Sequence, residues 1–410
     1  MSKCTDNSEV LQSGFEYYLG GDLIILQLTG LYSIRHVFTL DQPKWPYWEV
    51  IPFIFGGGGL CFALISDIRN ALGFVQTDSM LTIEIAAACF SGFLSIFKGF
   101  RIWIYRRELY DLIRLCYLRW KIQVSRNTIT ECMMKDAQAA RHFRIIYSVI
   151  VGLLLTAYVL LPIRGYLQFY CSGSNYSFEF SETVYPANYP FTLTSVRPFF
   201  FCIALETVGI FFLGLYWLAA DAVFAQITTH LAIQFQILGN DVRHICPITQ
   251  MRSYGPTKII QRLKRNIDEH LELFGYVHFL EKIYNPILLA TVLINGIDLC
   301  TCLYSLQYRL AESNWGDVGK NAVHASAIVL QTLMFCACSQ RLNDEIAGVR
   351  QAAYECSWTE FNTSIKTMIL LIMIQTQHEY IYSAYGFIHL DMPQIFSVAM
   401  RYFTLLRTVT

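Results

Sequence analysis

Candidate catalytic side chains are scattered through the sequence and form no catalytic or metal-binding pattern. His230 and His244 are isolated. The glycine run 56–59 lies inside an apolar stretch, whereas a phosphate-binding loop follows a strand and opens a helix. The Cys300/Cys302 pair also lies in an apolar run, so we interpret it as two small buried hydrophobes rather than half of a zinc site. The sequence therefore predicts no enzyme, no metal site and no cofactor.

Three acidic residues, Glu84, Glu206 and Asp298, lie within otherwise apolar stretches and are stronger candidates for chemistry. A carboxylate inside a membrane is costly and usually marks a functional site. Glu206 is predicted either to accept a hydrogen bond from a ligand or to bond to a neighbouring helix. For Glu84 and Asp298 we favour structural roles.

The composition indicates a membrane protein that must position these residues among apolar helices. The 410 residues are 54% hydrophobic and only 15% charged, and the formal net charge is zero. Soluble domains carry about 25% charged residues, and a single hydrophobic core stops growing near roughly 250–300 residues. The balanced charge favours no nucleic-acid partner, and membrane lipid is the expected surrounding.

Seven apolar segments are long enough to be membrane-spanning helices, which need about 20 residues each. Several of these segments are followed directly by a charged residue, as the second is by Lys98. The last is predicted to be split, because Asp391 can cap a new helix and Pro393 fits its first turn. The segments are 48–66, 80–97, 145–163, 199–220, 283–306, 321–340, and a short helix at 367–377 followed by 391–408.

The distribution of basic residues predicts the orientation of the chain. Most of the 31 Lys and Arg residues precede the first span or fall in the second, fourth and sixth connections. Because basic connections stay in the cytoplasm, the N-terminus is predicted to be cytoplasmic and the C-terminus extracellular. Asn175, in an Asn-Tyr-Ser triplet of the third connection, would then be an extracellular glycosylation acceptor.

The C-terminal 60 residues carry a more specific pattern. Ala-Ala-Tyr at 352–354 is followed by Trp358, by Tyr-Ser-Ala-Tyr-Gly-Phe at 382–387, and by Arg-Tyr-Phe-Thr-Leu-Leu-Arg-Thr at 401–408. With the length and the inverted seven-span topology, this resembles the insect odorant receptors. Gustatory receptors usually have Thr in place of Arg401 and end in Gln-Phe, which favours the odorant branch.

The resemblance implies a ligand-gated, non-selective cation channel in the cell membrane of sensory neurons. Four subunits would surround one pore, with tuning subunits assembled beside a common co-receptor. The co-receptor carries a long insertion before the fifth span, and none is evident between Asp221 and Lys282. The chain is therefore expected to be a tuning subunit in a heterotetramer that is opened by a small volatile ligand and conducts cations.

The resemblance also assigns the pore to the last helix. Arg401, Leu405, Thr408 and Val409 share one stripe at three- and four-residue spacing, and Leu405 and Val409 occupy the family's hydrophobic-gate positions. Thr408 would offer a hydroxyl to a passing ion. Arg401 either faces a water-filled pore, where it would reduce cation permeability, or pairs with a neighbouring helix.

The odorant pocket is expected in the outer half of the bundle, among the second, third, fourth and sixth spans. Small volatile ligands need an enclosed and mostly apolar cavity, and Tyr158 could stack on an aromatic ligand. The candidate lining residues are Ile83, Ala87, Gly152, Leu155, Tyr158, Ile203, Glu206, His324 and Ile328.

The remaining segments are expected to serve topology and assembly. We divide the chain into a cytoplasmic N-terminal segment (1–47), six spans (48–340), cytoplasmic anchor helices (341–378), and a loop with the pore helix (379–410). Within the six spans lie an extracellular loop (164–197) and a cytoplasmic helical extension (221–282). Tyr354, Trp358 and Phe361 form an aromatic stripe at helical spacing, and in a tetramer this stripe would hold the subunits together.

Two alternative functions stay open at this point. A gustatory-type homomeric channel of the same superfamily shares the mechanism. A seven-span G-protein-coupled receptor requires the opposite orientation, and the Asp-Arg-Tyr-like triplet that usually follows its third span is missing from 163–166.

Overall fold

The chain is almost entirely helical in the computed structural model, which describes residues 14–38, 45–74, 79–172, 180, 183–184, 189, 191, 193–245, 256–356, 358–377, 380, 382–385, 388–389 and 404. The helices are α1 (Gly14–Leu28), α2 (Val50–Phe74), α3 (Ser79–Ile104), α4 (Arg106–Ser125), α5 (Glu131–Ser172), α6 (Val196–Ile245), α7 (Pro256–Ala311), α8 (Trp315–Glu355) and α9 (Thr363–Gln375). Short 3-10 turns lie at Tyr32–Val37, Tyr47–Glu49 and Trp358–Glu360. The two-residue strands β1 (Ser383–Ala384) and β2 (Ile388–His389) pair antiparallel.

The helices α2, α3, α5, α6, α7 and α8 are long and apolar enough to cross a membrane. They contain the first six predicted spans, which are confirmed as apolar helices. From α5 to α8 the lengths are 42, 50, 56 and 41 residues. Because a bilayer needs only about 20 residues of helix, each of these four helices extends well beyond the hydrocarbon. The predicted seventh span at 391–408 lies outside the described residues.

A buried polar network crosses the middle of the bundle. Lys98 of α3 donates to Asp221 of α6 at 2.7 Å, and both side chains are fully buried. The second carboxylate oxygen of Asp221 accepts hydrogen bonds from Tyr147 of α5 at 2.8 Å and from Gln331 of α8 at 2.5 Å. Asn295 of α7 donates to Gln331 at 2.9 Å. The network therefore joins five helices through side chains that no lipid or water reaches.

The burial of Lys98 corrects the expected end of the second span. Lys98 was expected to begin a charged connection, because an isolated charge is costly in hydrocarbon. Instead α3 continues to Ile104, and Lys98 is neutralised by Asp221 and lies 5.5 Å from the ring centroid of Trp217. A cation with a buried counter-charge and an aromatic neighbour can remain inside the bundle.

The network separates two halves of different packing. We call the half that contains the C-terminal ends of α2, α5 and α7 the upper half, and the half that contains α1, α4 and α9 the lower half. The main hydrophobic core fills the lower half, where α1 buries Phe15, Leu19 and Leu26 at helical spacing. In the upper half the spanning helices leave many apolar side chains exposed, as expected where lipid or another subunit covers a surface.

Helix α6 is the central element of the bundle, since it contacts α1, α2, α3, α4, α5, α7 and α8. Glycine makes room for one of these contacts. At Gly214, an added Cβ would lie 2.3 Å from the Cδ1 of Leu155 on α5, so glycine leaves the space that this side chain fills. At Gly239, an added Cβ would make an ordinary 3.6 Å contact with the Cα of Val349 on α8.

Candidate ligand site

A cavity of about 310 Å³ lies in the upper half of the bundle. Its walls come from α2, α3, α5, α7 and α8, together with residues 183–184 of the connection between α5 and α6. The volume is at the lower end of the range for small-molecule pockets, roughly 300–1,000 Å³. The lining residues are Asp67, Ile85, Ala87, Ala88, Tyr158, Leu161, Pro162, Gly165, Thr183, Val184, Thr301, Cys302, Ser305, Asp317, Lys320, Asn321 and His324.

Charged groups on one side of the cavity are held in a local ion-pair cluster at the start of α8. Lys320 lies 3.2 Å from Asp317, and Arg309 of α7 lies 3.8 Å from the same carboxylate. Asn314 caps α8 by accepting from the backbone N–H of Asp317 at 3.4 Å. The ammonium of Lys320 lies 5.5 Å from the ring centroid of Tyr158. Asp317 and Lys320 therefore largely neutralise each other beside the cavity.

His324 and Cys302 form a second polar contact in the cavity wall. The Nδ1 of His324 lies 3.4 Å from the Sγ of Cys302, which joins α8 to α7. His324 is buried, so its ring is held in place by neighbouring helices. This residue was among the predicted pocket residues, and it lines the cavity.

Glu206 of α6 holds the segment that covers the cavity. Its carboxylate accepts hydrogen bonds from the Thr183 hydroxyl at 2.9 Å, the Val184 backbone N–H at 2.8 Å and the Tyr189 hydroxyl at 2.5 Å. Burial, together with the bond to Glu206, raises the pKa of the Tyr189 phenol, which therefore stays protonated as a donor at neutral pH. Of the two predicted alternatives for Glu206, bonding within the protein is the arrangement found here, although the partner is a connecting segment rather than a helix.

A second cavity of about 420 Å³ lies between α2 and α6. Glu206 and Tyr189 form its polar end, and the glycine run at 56–59 supplies part of one wall. Phe212 lies against Gly56, where any side chain on α2 would collide with its ring. The rest of this cavity is apolar.

Four of the nine predicted pocket residues line one of these two cavities. Ala87, Tyr158 and His324 line the first, and Glu206 lines the second. The other five predicted residues line neither cavity and are Ile83, Gly152, Leu155, Ile203 and Ile328.

Of these five residues, Ile83 is partly buried on α3, and the other four are either exposed or packed against other helices. Gly152 is exposed, with open space where a Cβ would lie. Leu155 packs against Gly214 of α6, while Ile203 and Ile328 are buried. Helical spacing alone could not distinguish these faces from the cavity-facing one.

Several polar residues line the first cavity that the sequence did not predict, among them Asp67 and Asn321. Asp67 follows directly after the predicted end of the first span, and Asn321 begins the sixth predicted span. A mostly apolar pocket was expected, which excluded polar residues at the ends of spans. In the predicted topology both residues lie at the extracellular ends of their spans, and this shared position was the signal that could have found them.

The predicted pore residues Arg401, Leu405, Thr408 and Val409 lie outside the described residues, as does Asn175. In this region the structure describes Thr404 alone, which is helical and exposed. The assignments of pore, gate and glycosylation therefore stay predictions.

The predicted aromatic stripe is divided by a helix end. Helix α8 ends at Glu355, and the backbone of Cys356 is extended, so the three residues do not lie on one helix. Tyr354 is 63% exposed, Trp358 is half-buried, and Phe361 packs into the core of the lower half. Tyr354 is the one of the three whose ring is mostly free of contacts within the chain.

Asp298, another acidic residue within an apolar stretch, has a partner inside the bundle. Its Oδ2 accepts a hydrogen bond from Ser91 at 2.6 Å, which joins α7 to α3. Within the described part of the chain, no group of three His, Cys, Asp or Glu side chains is arranged to hold a metal ion.

Six long apolar helices, five of which line a small cavity, define a multi-pass membrane protein. The sequence profile of the 7tm odorant receptor family matches residues 83–401. The chain therefore belongs to the 7tm odorant receptor family, and the predicted resemblance is confirmed.

Several similar proteins of known sequence or structure are insect receptors. Odorant receptor 13a of Drosophila melanogaster is 22% identical over 351 residues, which cover 81% of each chain. Odorant receptor 10 of Aedes albopictus is 28% identical over 35% of this chain and 38% of its own. The olfactory receptor OR5 of Machilis hrabei has the same fold, with a TM-score of 0.78 over 96% of this chain and 98% of its own at 14% identity. A second structure of that receptor, in complex with eugenol, has a TM-score of 0.74 over 97% of this chain and 99% of its own, also at 14% identity.

Proposed function

We propose that the chain is the odorant-binding tuning subunit of a ligand-gated, non-selective cation channel in the cell membrane. The observation that carries the proposal is the cavity among α2, α3, α5, α7 and α8, covered by residues 183–184 that Glu206 holds in place. Its size suits a small organic molecule. The complex of a structural neighbour with eugenol supports this class of ligand.

In the proposed topology the upper half of the bundle faces the extracellular side. The distribution of Lys and Arg supports a cytoplasmic N-terminus, and an odd number of spans then leaves the C-terminus outside. The connection between α5 and α6, which carries Asn175, would be extracellular and accessible to a volatile ligand. Removal of glycans by a glycosidase should increase the gel mobility of the wild-type chain and leave that of Asn175→Gln unchanged.

The last helix is proposed to line the ion path. Leu405 and Val409 would form the constriction, Thr408 would contact permeating cations, and Arg401 would lie beside the path. A ligand opens such a channel only if it binds the open state more tightly than the closed state. Residues 391–408 follow the lower-half residues 380, 382–385 and 388–389 in sequence, and motion of the spanning helices would be transmitted to the proposed helix along this connection.

The chain is proposed to assemble with co-receptor subunits in a heterotetramer. The exposed ring of Tyr354 at the lower end of α8 is available for a contact between subunits. Aromatic side chains are enriched at protein interfaces because they bury a large area with few rotatable bonds. Phe361 would support this contact from within the core.

Expression in cells with and without an odorant co-receptor, with current recording over an odorant panel, tests the proposal. We expect odorant-evoked cation currents only when both chains are present. Currents from this chain alone would favour the gustatory-type homomeric channel. A response that requires G proteins would favour the seven-span G-protein-coupled receptor and contradict the proposal.

A further inference from the structure

Two buried polar atoms in the wall of the first cavity have no partner. Asp67 is 3% exposed and Asn321 is 6% exposed, and both line the cavity. The Oδ1 of Asp67 has no hydrogen-bond partner among the residues that the structure describes, and the same holds for the Nδ2 of Asn321. Buried polar groups are nearly always hydrogen-bonded, and each exception needs an explanation.

Other polar groups around the cavity already have partners within the protein. The Thr301 hydroxyl donates to the backbone carbonyl of Asp298 at 2.9 Å, and the Thr183 hydroxyl donates to Glu206. Asp317 and Lys320 form an ion pair. Among the residues that line the cavity, Asp67 on α2 and Asn321 on α8 therefore stand out because each has a buried polar atom without a partner in the described part of the chain.

The chemistry of the two groups specifies what they can bind together. A carboxylate oxygen accepts a hydrogen bond, and an amide N–H donates one. We propose that the cavity selects small ligands with a hydroxyl group, an alcohol or a phenol, whose O–H donates to Asp67 while its oxygen accepts from Asn321. The inference rests on the proposed function of this cavity as the odorant site.

The rest of the cavity suits the carbon skeleton of such a ligand. Ile85, Ala87, Leu161, Pro162 and Val184 supply apolar surface, and the ring of Tyr158 adds an aromatic face. A ketone or aldehyde could accept from Asn321 but would leave Asp67 without a donor. A hydrocarbon would leave both groups unpaired, and a protonated amine could pair with Asp67 but could not accept from Asn321.

The test compares ligands that share a skeleton and differ in one functional group. The full-length chain is expressed with a co-receptor, and currents are recorded for benzyl alcohol, benzaldehyde, toluene and benzylamine, and for 1-octanol, octanal, octane and octylamine. A site built to hydrogen-bond a hydroxyl discriminates strongly against analogues that lack it. We expect the alcohol of each set to activate at a concentration at least tenfold lower than its hydrocarbon, with the aldehyde between them.

Substitutions then assign the preference to the two residues. Asp67→Leu and Asn321→Leu should each reduce the advantage of the alcohol over the hydrocarbon to within about threefold. Asp67→Asn retains an acceptor and should preserve most of the advantage, which separates loss of the hydrogen bond from misfolding. Ser326→Ala is the matched control, because this exposed α8 hydroxyl bonds only to its own helix. Surface labelling of each variant confirms delivery to the membrane.

The outcomes separate this inference from the proposed function. Equal sensitivity to alcohol and hydrocarbon would overturn the proposed hydroxyl selectivity. An alcohol preference that survives both Asp67→Leu and Asn321→Leu would overturn the roles of these two residues. In either case the proposed function as an odorant receptor would stand. A stronger response to the amine than to the alcohol would overturn it too, because Asp67 would then act as a counter-ion alone. If no odorant evoked a current from correctly delivered channels, the proposed function itself would fail, and the inference with it.

Discussion

Helix α6 crosses two environments, and its two ends are packed in opposite ways. Between Gly214 and Gly239 nearly every residue is buried against other helices. Between Val196 and Leu213 the helix instead exposes a face that includes Phe201, Leu205 and Phe211. The lower half is thus held together by its own core, whereas the upper half around the ligand cavity depends on lipid, other subunits or ligand to cover it.

The largest expected effect concerns the polar network between the two halves. Lys98→Met leaves Asp221 buried without its counter-charge, and we expect the free energy of unfolding to fall by about 3–5 kcal/mol. The midpoint of thermal unfolding of the purified full-length chain in detergent measures this. The double variant Lys98→Met, Asp221→Leu should recover only part of the loss, because it leaves no unpaired charge but removes the acceptor of Tyr147 and Gln331. A single variant as stable as the wild type would contradict the structural role of the pair.

The packing contrast along α6 gives a matched pair of substitutions. Phe224 is fully buried, with its ring centroid 5.0 Å from those of Tyr284 and Phe335. We expect Phe224→Ala to reduce the free energy of unfolding by about 3–5 kcal/mol, through lost contacts and a residual cavity. Phe201→Ala, at a side chain that is 61% exposed, should change it by no more than about 0.5 kcal/mol. Similar losses in both variants, measured by thermal unfolding, would remove the distinction between the halves.

The segment over the cavity should depend on Glu206. Glu206→Ala removes the acceptor for Thr183, Val184 and Tyr189, so the segment is released and the bound ligand is less enclosed. A loss of about 1.4 kcal/mol would raise the half-maximal odorant concentration roughly tenfold. Glu206→Gln retains one acceptor oxygen and should produce a smaller shift. An unchanged concentration dependence for Glu206→Ala would show that the segment does not enclose the site.

The smallest expected effect on the isolated chain is at Tyr354. Because its ring is exposed, Tyr354→Ala should change the free energy of unfolding by less than about 0.5 kcal/mol. If the ring contacts another subunit, the same variant should copurify less well with the co-receptor. Tyr170→Ala, an equally drastic change at an exposed tyrosine of the upper half, serves as the control. Normal copurification of Tyr354→Ala would exclude this residue from the assembly contact.

Much of the helical framework could be predicted, because hydropathy is a local property of the chain. The six predicted spans that fall within the described residues are all found as long apolar helices. The burial of Lys98 inside the bundle could not be predicted in the same way, since its counter-charge, Asp221, is 123 residues away in sequence. Without Asp221 beside it, a lysine after an apolar stretch is reasonably interpreted as the end of a span.

The ligand site was only partly predictable for a related reason. Tyr158 and His324 were identified because the third and sixth spans were expected to face the pocket. Gly152 belongs to the third span but is exposed, and Ile328, one turn along α8 from His324, is buried in packing and does not line the cavity. Asp67 was missed because its polarity conflicted with an assumed apolar pocket, and its unpaired state emerges only when all neighbouring helices are in place.

The most direct test of the account is the position of a bound ligand. An electron cryomicroscopy map of the full-length chain with its co-receptor, recorded with an activating odorant, would show that position. The account predicts ligand density between Tyr158 of α5 and His324 of α8, beneath Thr183 and Val184. Density confined to the second cavity, between α2 and α6, with none in the first cavity, would contradict it.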